Sequence, residues 1–141
     1  KKQLDKVTVK EIAYEINSSF KDAFFSIYIK SRQYSDDKQV IAFLEQIKSS
    51  SLLSLYNTAM KYRGGILLIV TAEKLDSSEL DLKADVLIKS LSIDPDAFYI
   101  GISNIHRDLS MLNVGINESL YAETTSEVMN VHLKKFSELG L

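Results

Sequence analysis

The segment LYNTAMKYRGGILLIVTAE, residues 55–73, constrains the fold more than any other part of the chain. Two strand-like runs flank Gly64-Gly65, and such a pattern is a strong hairpin signal. In the first run Tyr56, Thr58, Met60 and Tyr62 alternate onto one side. The second, from Ile66 onwards, is continuously apolar, as expected for a central strand buried on both faces. A glycine pair at such a tip has two possible uses. It can bring backbone amides up to a phosphate, or it can simply be the tightest way to reverse a strand.

The remaining elements follow from periodicity. Val9, Ile12, Ala13 and Ile16 recur at helical spacing within Val7–Asn17, which predicts a short amphipathic helix. AFFSIYIK, Ala23 to Lys30, is aromatic and β-branched and reads as a buried strand. After it, Ser35 or Asp36 is placed to cap a helix whose apolar face is Val40, Phe43, Leu44 and Ile47. The serine run 49–51 is a break. Asp76, three residues before Glu79, is close to a capping box, and Leu80, Ala84, Leu87 and Leu91 form the stripe behind it. Pro95 marks a turn, and 97–103 is another strand. A last helix begins near Asp108 with Leu109, Leu112, Ile116 and Leu120 on one face. Gly115 within it is a weak point of about 1 kcal/mol relative to Ala. Residues 131–136 make a short final strand. The order is helix, strand, helix, hairpin, helix, strand, helix, strand. It suits an α+β domain with a ferredoxin-like or nucleotide-cyclase-like core: a mostly antiparallel sheet with helices packed over it, plus an N-terminal helix.

Composition excludes several classes of function. At 141 residues, 45% apolar and 26% charged, the chain has the make-up of one ordinary globular domain. A net charge of −2 with scattered lysines and arginines shows no basic face for nucleic acid. The absence of cysteine rules out disulfides and thiolate metal sites. It is also compatible with a cytoplasmic location, which we take as the expectation. No apolar run approaches the roughly 20 residues that span a bilayer. The chain opens on Lys-Lys and stops after SELGL, so it reads as a piece of a longer protein.

Two stretches resemble a known family. YIGISNIHRDLSMLNVGINESLYA is similar to the segment of GGDEF-like domains in which a strand ends in Gly-Ile-Gly or Gly-Ile-Ser and a DLS-x-L loop leads into a helix. Gly101, Ile102 and Ser103 match the strand end. Asp108, Leu109, Ser110 and Leu112 match the loop, and Glu118, Leu120 and Ala122 the helix. Ile116 and Ser119 depart from the more usual Tyr and Ala. FSELGL, Phe136 to Leu141, resembles the stretch by which this domain runs on to a helix-turn-helix module. The likeness is to the degenerate GGDEF-like domain of PucR/CdaR-type bacterial transcription regulators. It implies a helical lead-in over 1–19, the GGDEF-like domain over 20–136, and the start of a connection to a DNA-binding module over 137–141.

Active members of the GGDEF family make cyclic di-GMP from two GTP molecules. The resemblance implies that their glycine pair approaches the phosphates, and that an Asp-Glu after it and an Asp at the end of the first strand hold the metal. Mg²⁺ demands hard oxygen ligands, and phosphoryl transfer depends on them. Here Ile66 and Leu67 follow the glycines, and the first strand ends Ile29-Lys30-Ser31. No catalytic residue, metal site or cofactor is therefore expected. Asp36 and Asp37 read as helix-capping residues rather than displaced ligands. His106 and His132 lack a partner at ligand spacing. Tyr56 and Tyr62 read as cross-strand packing rather than a stacking platform. The expected function is a non-catalytic regulatory and dimerisation domain between an upstream sensor and a DNA-binding module, without direct contact to nucleic acid or membrane. The alternative is a sensor of a nucleotide or metabolite, with Arg63, Gly64 and Gly65 as the binding residues and Lys61 beside them.

Overall fold

The computed structural model describes residues 5–33, 36–50, 53–90 and 94–140. Helix α1 (Lys6–Ile16) precedes β1 (Ala23–Ser31), α2 (Asp37–Lys48), β2 (Asn57–Tyr62), β3 (Gly65–Ala72) and α3 (Ser77–Ser90); β4 (Phe98–Ile102), α4 (Leu112–Met129) and β5 (Leu133–Lys135) complete the order. The strands form one sheet in the order β2-β3-β1-β4-β5. All neighbouring pairs are antiparallel except β4 with β5. From β1 to β4 the chain traces a βαββαβ unit. The α+β class and the N-terminal helix are thus present. Ser35, Ser51, Leu91 and Leu141 lie outside the described residues.

Alternation along the strands divides the apolar side chains between two faces. Phe25, Ile27 and Ile29 of β1 join Ile66, Leu68 and Val70 of β3 under α2 and α3. Phe24 and Tyr28 join Leu67 and Ile69 on the other face, under α1 and α4. The unbroken aliphatic run of β3 has this cause: it is the second strand in from the edge, covered on both sides.

Local signals explain most boundaries. The Asp36 carboxylate accepts from the Lys38 amide at 2.8 Å and caps α2. Asp76 accepts from the Glu79 amide at 2.9 Å at the start of α3. Asp94 caps the 3₁₀ turn Pro95–Ala97. Asp108 caps a 3₁₀ turn, Leu109–Met111, rather than α4 itself. Helix α4 continues past the Leu120 end of its apolar stripe to Met129 and ends where Asn130 adopts the left-handed conformation.

Two expectations about helix faces need correction. In α1 only Val9 and Ala13 are buried, while Ile12 and Ile16 stay exposed, because the helix rests mainly on the Leu109–Met111 turn. In α4 the buried stripe includes Gly115, Ser119, Ala122, Glu123 and Ser126, with Ile116 and Leu120 only half-buried. Small residues let α4 lie close on the sheet. A Cβ on Gly101 of β4 would stand 2.2 Å from the Ser119 carbonyl oxygen, and one on Gly115 would stand 2.5 Å from the Phe24 ring. Gly115 is therefore a close-approach site, not a weak point that Ala would improve.

Candidate functional site

At the hairpin, Tyr62 pairs with Gly65, so the two-residue turn is Arg63-Gly64 rather than Gly64-Gly65. Both turn residues have positive φ, 47° and 77°, as a type I′ reversal requires. Gly65 belongs to β3 for another reason. A Cβ there would lie 2.6 Å from the Ile29 carbonyl oxygen and 2.7 Å from the Tyr28 ring. Tyr28 runs beneath the turn, and its hydroxyl reaches the Tyr62 and Arg63 carbonyls at 2.8 and 2.7 Å. Burial, reinforced by the charge of Glu123, pushes its pKa up to about 12. It stays a neutral donor that ties β1 to the turn.

The residues after the turn face inward. Ile66 and Leu67 are each 1% exposed, Ile66 in the α2/α3 core and Leu67 in the α1/α4 core. The cleft beside Gly64 and Gly65, walled by Ile29, Val40, Phe43 and Phe98, has a volume of about 10 Å³. That is about the room of one water. Of the basic neighbours, Lys61 lies 3.1 Å from Asp37, and the Arg63 guanidinium is over the Tyr62 ring at 5.3 Å. Tyr62 stands opposite Gly65 across the hairpin, while Tyr56 precedes β2 and lies under the Lys21 ammonium at 4.7 Å. Lys30, at the end of β1, reaches Glu127 of α4 at 3.9 Å.

Beneath α4 is a group that sequence reasoning missed. Glu123 is 2% exposed, and its Oε2 has no hydrogen-bond partner among the described residues. Burial is the main cause that lifts its pKa to about 8; a hydrogen bond with Glu127 and the charge of that residue add to it, and Lys30 opposes. At neutral pH Glu123 is a buried carboxylic acid. The available signal was the small-residue spacing of Gly115, Ser119, Ala122 and Ser126, which marks the close face of α4 and puts Glu123 on it.

The histidines have separate structural surroundings. His106 Nε2 lies 2.8 Å from Glu118 Oε1, and its ring stacks on Phe24 with centroids 5.3 Å apart. The same Glu118 oxygen accepts from the Asn104 amide, so this carboxylate fastens the β4–α4 loop. His132 sits before β5, where its carbonyl accepts from the Ile100 amide. Among the described residues, no three acidic or histidine side chains converge as a metal-holding group, and no helix is long and apolar enough to cross a membrane.

The larger hollows lie at the end of the sheet opposite the hairpin. One, of about 480 Å³, runs past Ser77, Ser103 and Ser137, with Lys135 and Asp81 joined across it at 2.6 Å. Another, of about 450 Å³, is lined by Lys74, Asp76, Glu79 and Arg107. Among the described residues, the hollow that Gly64 and Gly65 line has about 10 Å³, far from nucleotide size, and Arg63 is not part of its lining. No protein-family model matches this chain, and no curated protein matches it significantly.

Proposed function

We propose that this chain is a non-catalytic regulatory domain of the degenerate GGDEF-like kind, working in the cytoplasm within a PucR/CdaR-type bacterial transcription regulator. It associates with a second copy and passes the state of an upstream sensor to a DNA-binding module. The observation that carries this reading is the filling of the positions after the glycine pair. Ile66 and Leu67, where the cyclases resembled carry acids, are core residues of the two opposite faces. The βαββαβ order and the Lys30–Glu127 contact at the end of β1 are consistent with it. Incubation with GTP and Mg²⁺ or Mn²⁺ tests the reading. No cyclic dinucleotide is expected above a protein-free control, and its production would overturn the assignment.

A second reading, ligand sensing, draws support from the hollows of about 480 and 450 Å³ at the opposite end. Their mixed lysine, arginine and carboxylate lining suits a small polar metabolite better than a nucleotide held at the turn. A thermal-shift screen separates the two, because saturable binding raises the melting temperature. On this reading stabilisation is lost in Lys135→Ala or Arg107→Ala and survives Arg63→Ala.

A further inference from the structure

We propose that the free edge of β2, flanked by α1, is where two copies of this chain join, strand to strand, about a two-fold axis at Met60. The inference names the partner surface of the regulatory reading and rests on that reading for its biological meaning. Its physical basis is independent.

Among the described residues, β2 has a strand neighbour on one side only. In a hairpin closed by a two-residue turn the closing pair, Tyr62 with Gly65, is hydrogen-bonded, and bonded pairs then alternate. Thr58 and Met60 thus bond into β3, while Ala59 and Lys61 turn their amides and carbonyls outward. Asn57 shows the same parity. Its amide bonds to the Ser54 carbonyl, and its own carbonyl accepts from Asn17 Nδ2 at 3.3 Å.

An edge strand of this length is a template for another strand unless something guards it. Lysine is the usual guard, but the Lys61 ammonium lies 3.1 Å from Asp37 on the α2 side. β2 contains no proline, and its described pairing with β3 runs without a bulge. Apolar side chains flank its start. Ile12 and Ile16 are 43% and 36% exposed, and Leu55 and Tyr56 are 69% and 40% exposed. Asn17 Nδ2, bonded to the Leu55 carbonyl at 3.0 Å, fixes the end of α1 beside this segment.

The strand is self-complementary in one register. Outward-facing residues must meet outward-facing residues in an antiparallel pair. Setting Ala59 opposite Lys61 of the second copy satisfies every outward amide and carbonyl of both residues in both copies. It also keeps the two lysines from facing each other, a juxtaposition that destabilises sheets. Thr58 then meets Tyr62, Met60 meets Met60 on the axis, and the Ile12–Ile16 faces of both copies lie on the same side of the joined sheet. Such an isologous contact closes on itself and stops at a dimer.

The register makes Met60 a non-hydrogen-bonded pair, with Cα atoms about 4.5 Å apart, within disulfide range. The chain has no cysteine, so a single introduced thiol reports its own contacts. Under mild oxidation Met60→Cys is expected to form a disulfide-linked dimer as its main product. Leu82→Cys, on the exposed side of α3, is expected to remain largely monomeric. The unaltered chain should sediment as a dimer, with Ala59 and Lys61 amides exchanging more slowly as concentration rises. A wild-type monomer, or a dimer in which Met60→Cys cross-links no better than Leu82→Cys, overturns the proposal. A monomer that makes no cyclic dinucleotide refutes this interface alone. A dimer that makes one refutes the regulatory reading alone.

Discussion

Replacing Glu123 with Gln removes one proton site from the α4–sheet interface while keeping the shape of the side chain. In the native protein the carboxyl titrates near pH 8 instead of 4.5, because ionisation would put a charge under α4, against Glu127. Lys30 and the Tyr28 hydroxyl are the other titratable groups facing it from β1. The folded state therefore holds the proton over a range in which the unfolded chain has lost it. This stabilising contribution is complete below about pH 4.5 and is lost as pH rises through about 8. A shift of this size corresponds to on the order of 5 kcal/mol. Urea unfolding between pH 5 and 9 should show wild-type stability falling over that window, whereas Glu123→Gln stays nearly flat and is the more stable protein at pH 9. Below pH 4 the direction reverses for both. The carboxylates of Asp76 and Asp108, held low chiefly by the Glu79 and Ser110 amides, and that of Asp5, held low chiefly by the Thr8 hydroxyl, then take up protons and lose their caps. An equal fall above pH 5 in Glu123→Gln and wild type would refute the assignment of the buried proton to Glu123.

Four further substitutions test the packing and the turn. Gly115→Ala should destabilise by about 1–3 kcal/mol, because its methyl meets the Phe24 ring, whereas helix propensity alone predicts a gain of about 1 kcal/mol; thermal unfolding gives the sign. Gly64→Ala, in open space but at positive φ, should cost about 1–2 kcal/mol in the same assay, while Gly101→Ala, blocked by the α4 backbone, should fail to give a folded domain by circular dichroism. Tyr28→Phe should cost about 1–2 kcal/mol and speed amide exchange in β2 and the hairpin turn, since the Tyr62 and Arg63 carbonyls lose their buried donor.

What was legible in the sequence depended on whether a local pattern and a tertiary demand coincided. β3 could be read because a strand covered on both faces must be apolar at every position. The caps at Asp36 and Asp76 could be read because they act within a few residues of themselves. The hairpin tip was displaced by one residue because Gly65 and Gly64 look alike in sequence yet answer to different constraints. Gly64 serves the turn, and Gly65 makes room for Tyr28, a residue far away along the chain. Gly115 misled in the same way, since its reason is the Phe24 ring. α1 carries a helical stripe of which only half is buried, so periodicity alone could not tell the core from the flank of a sheet edge. Glu123 was invisible because a glutamate late in a helix is ordinarily solvated; only the closeness of α4 to Gly101 buries it.

If the Arg63-Gly64 reversal is scaffold and not a phosphate loop, titration of isotopically labelled protein with Mg²⁺–GTP shows it in the amide resonances of Arg63, Gly64 and Gly65. The turn is closed from beneath by Tyr28, and the cleft beside it has room for about one water, so these resonances should hold their positions throughout. A saturable shift of all three, abolished in Arg63→Ala, would instead make the turn a phosphate-binding loop.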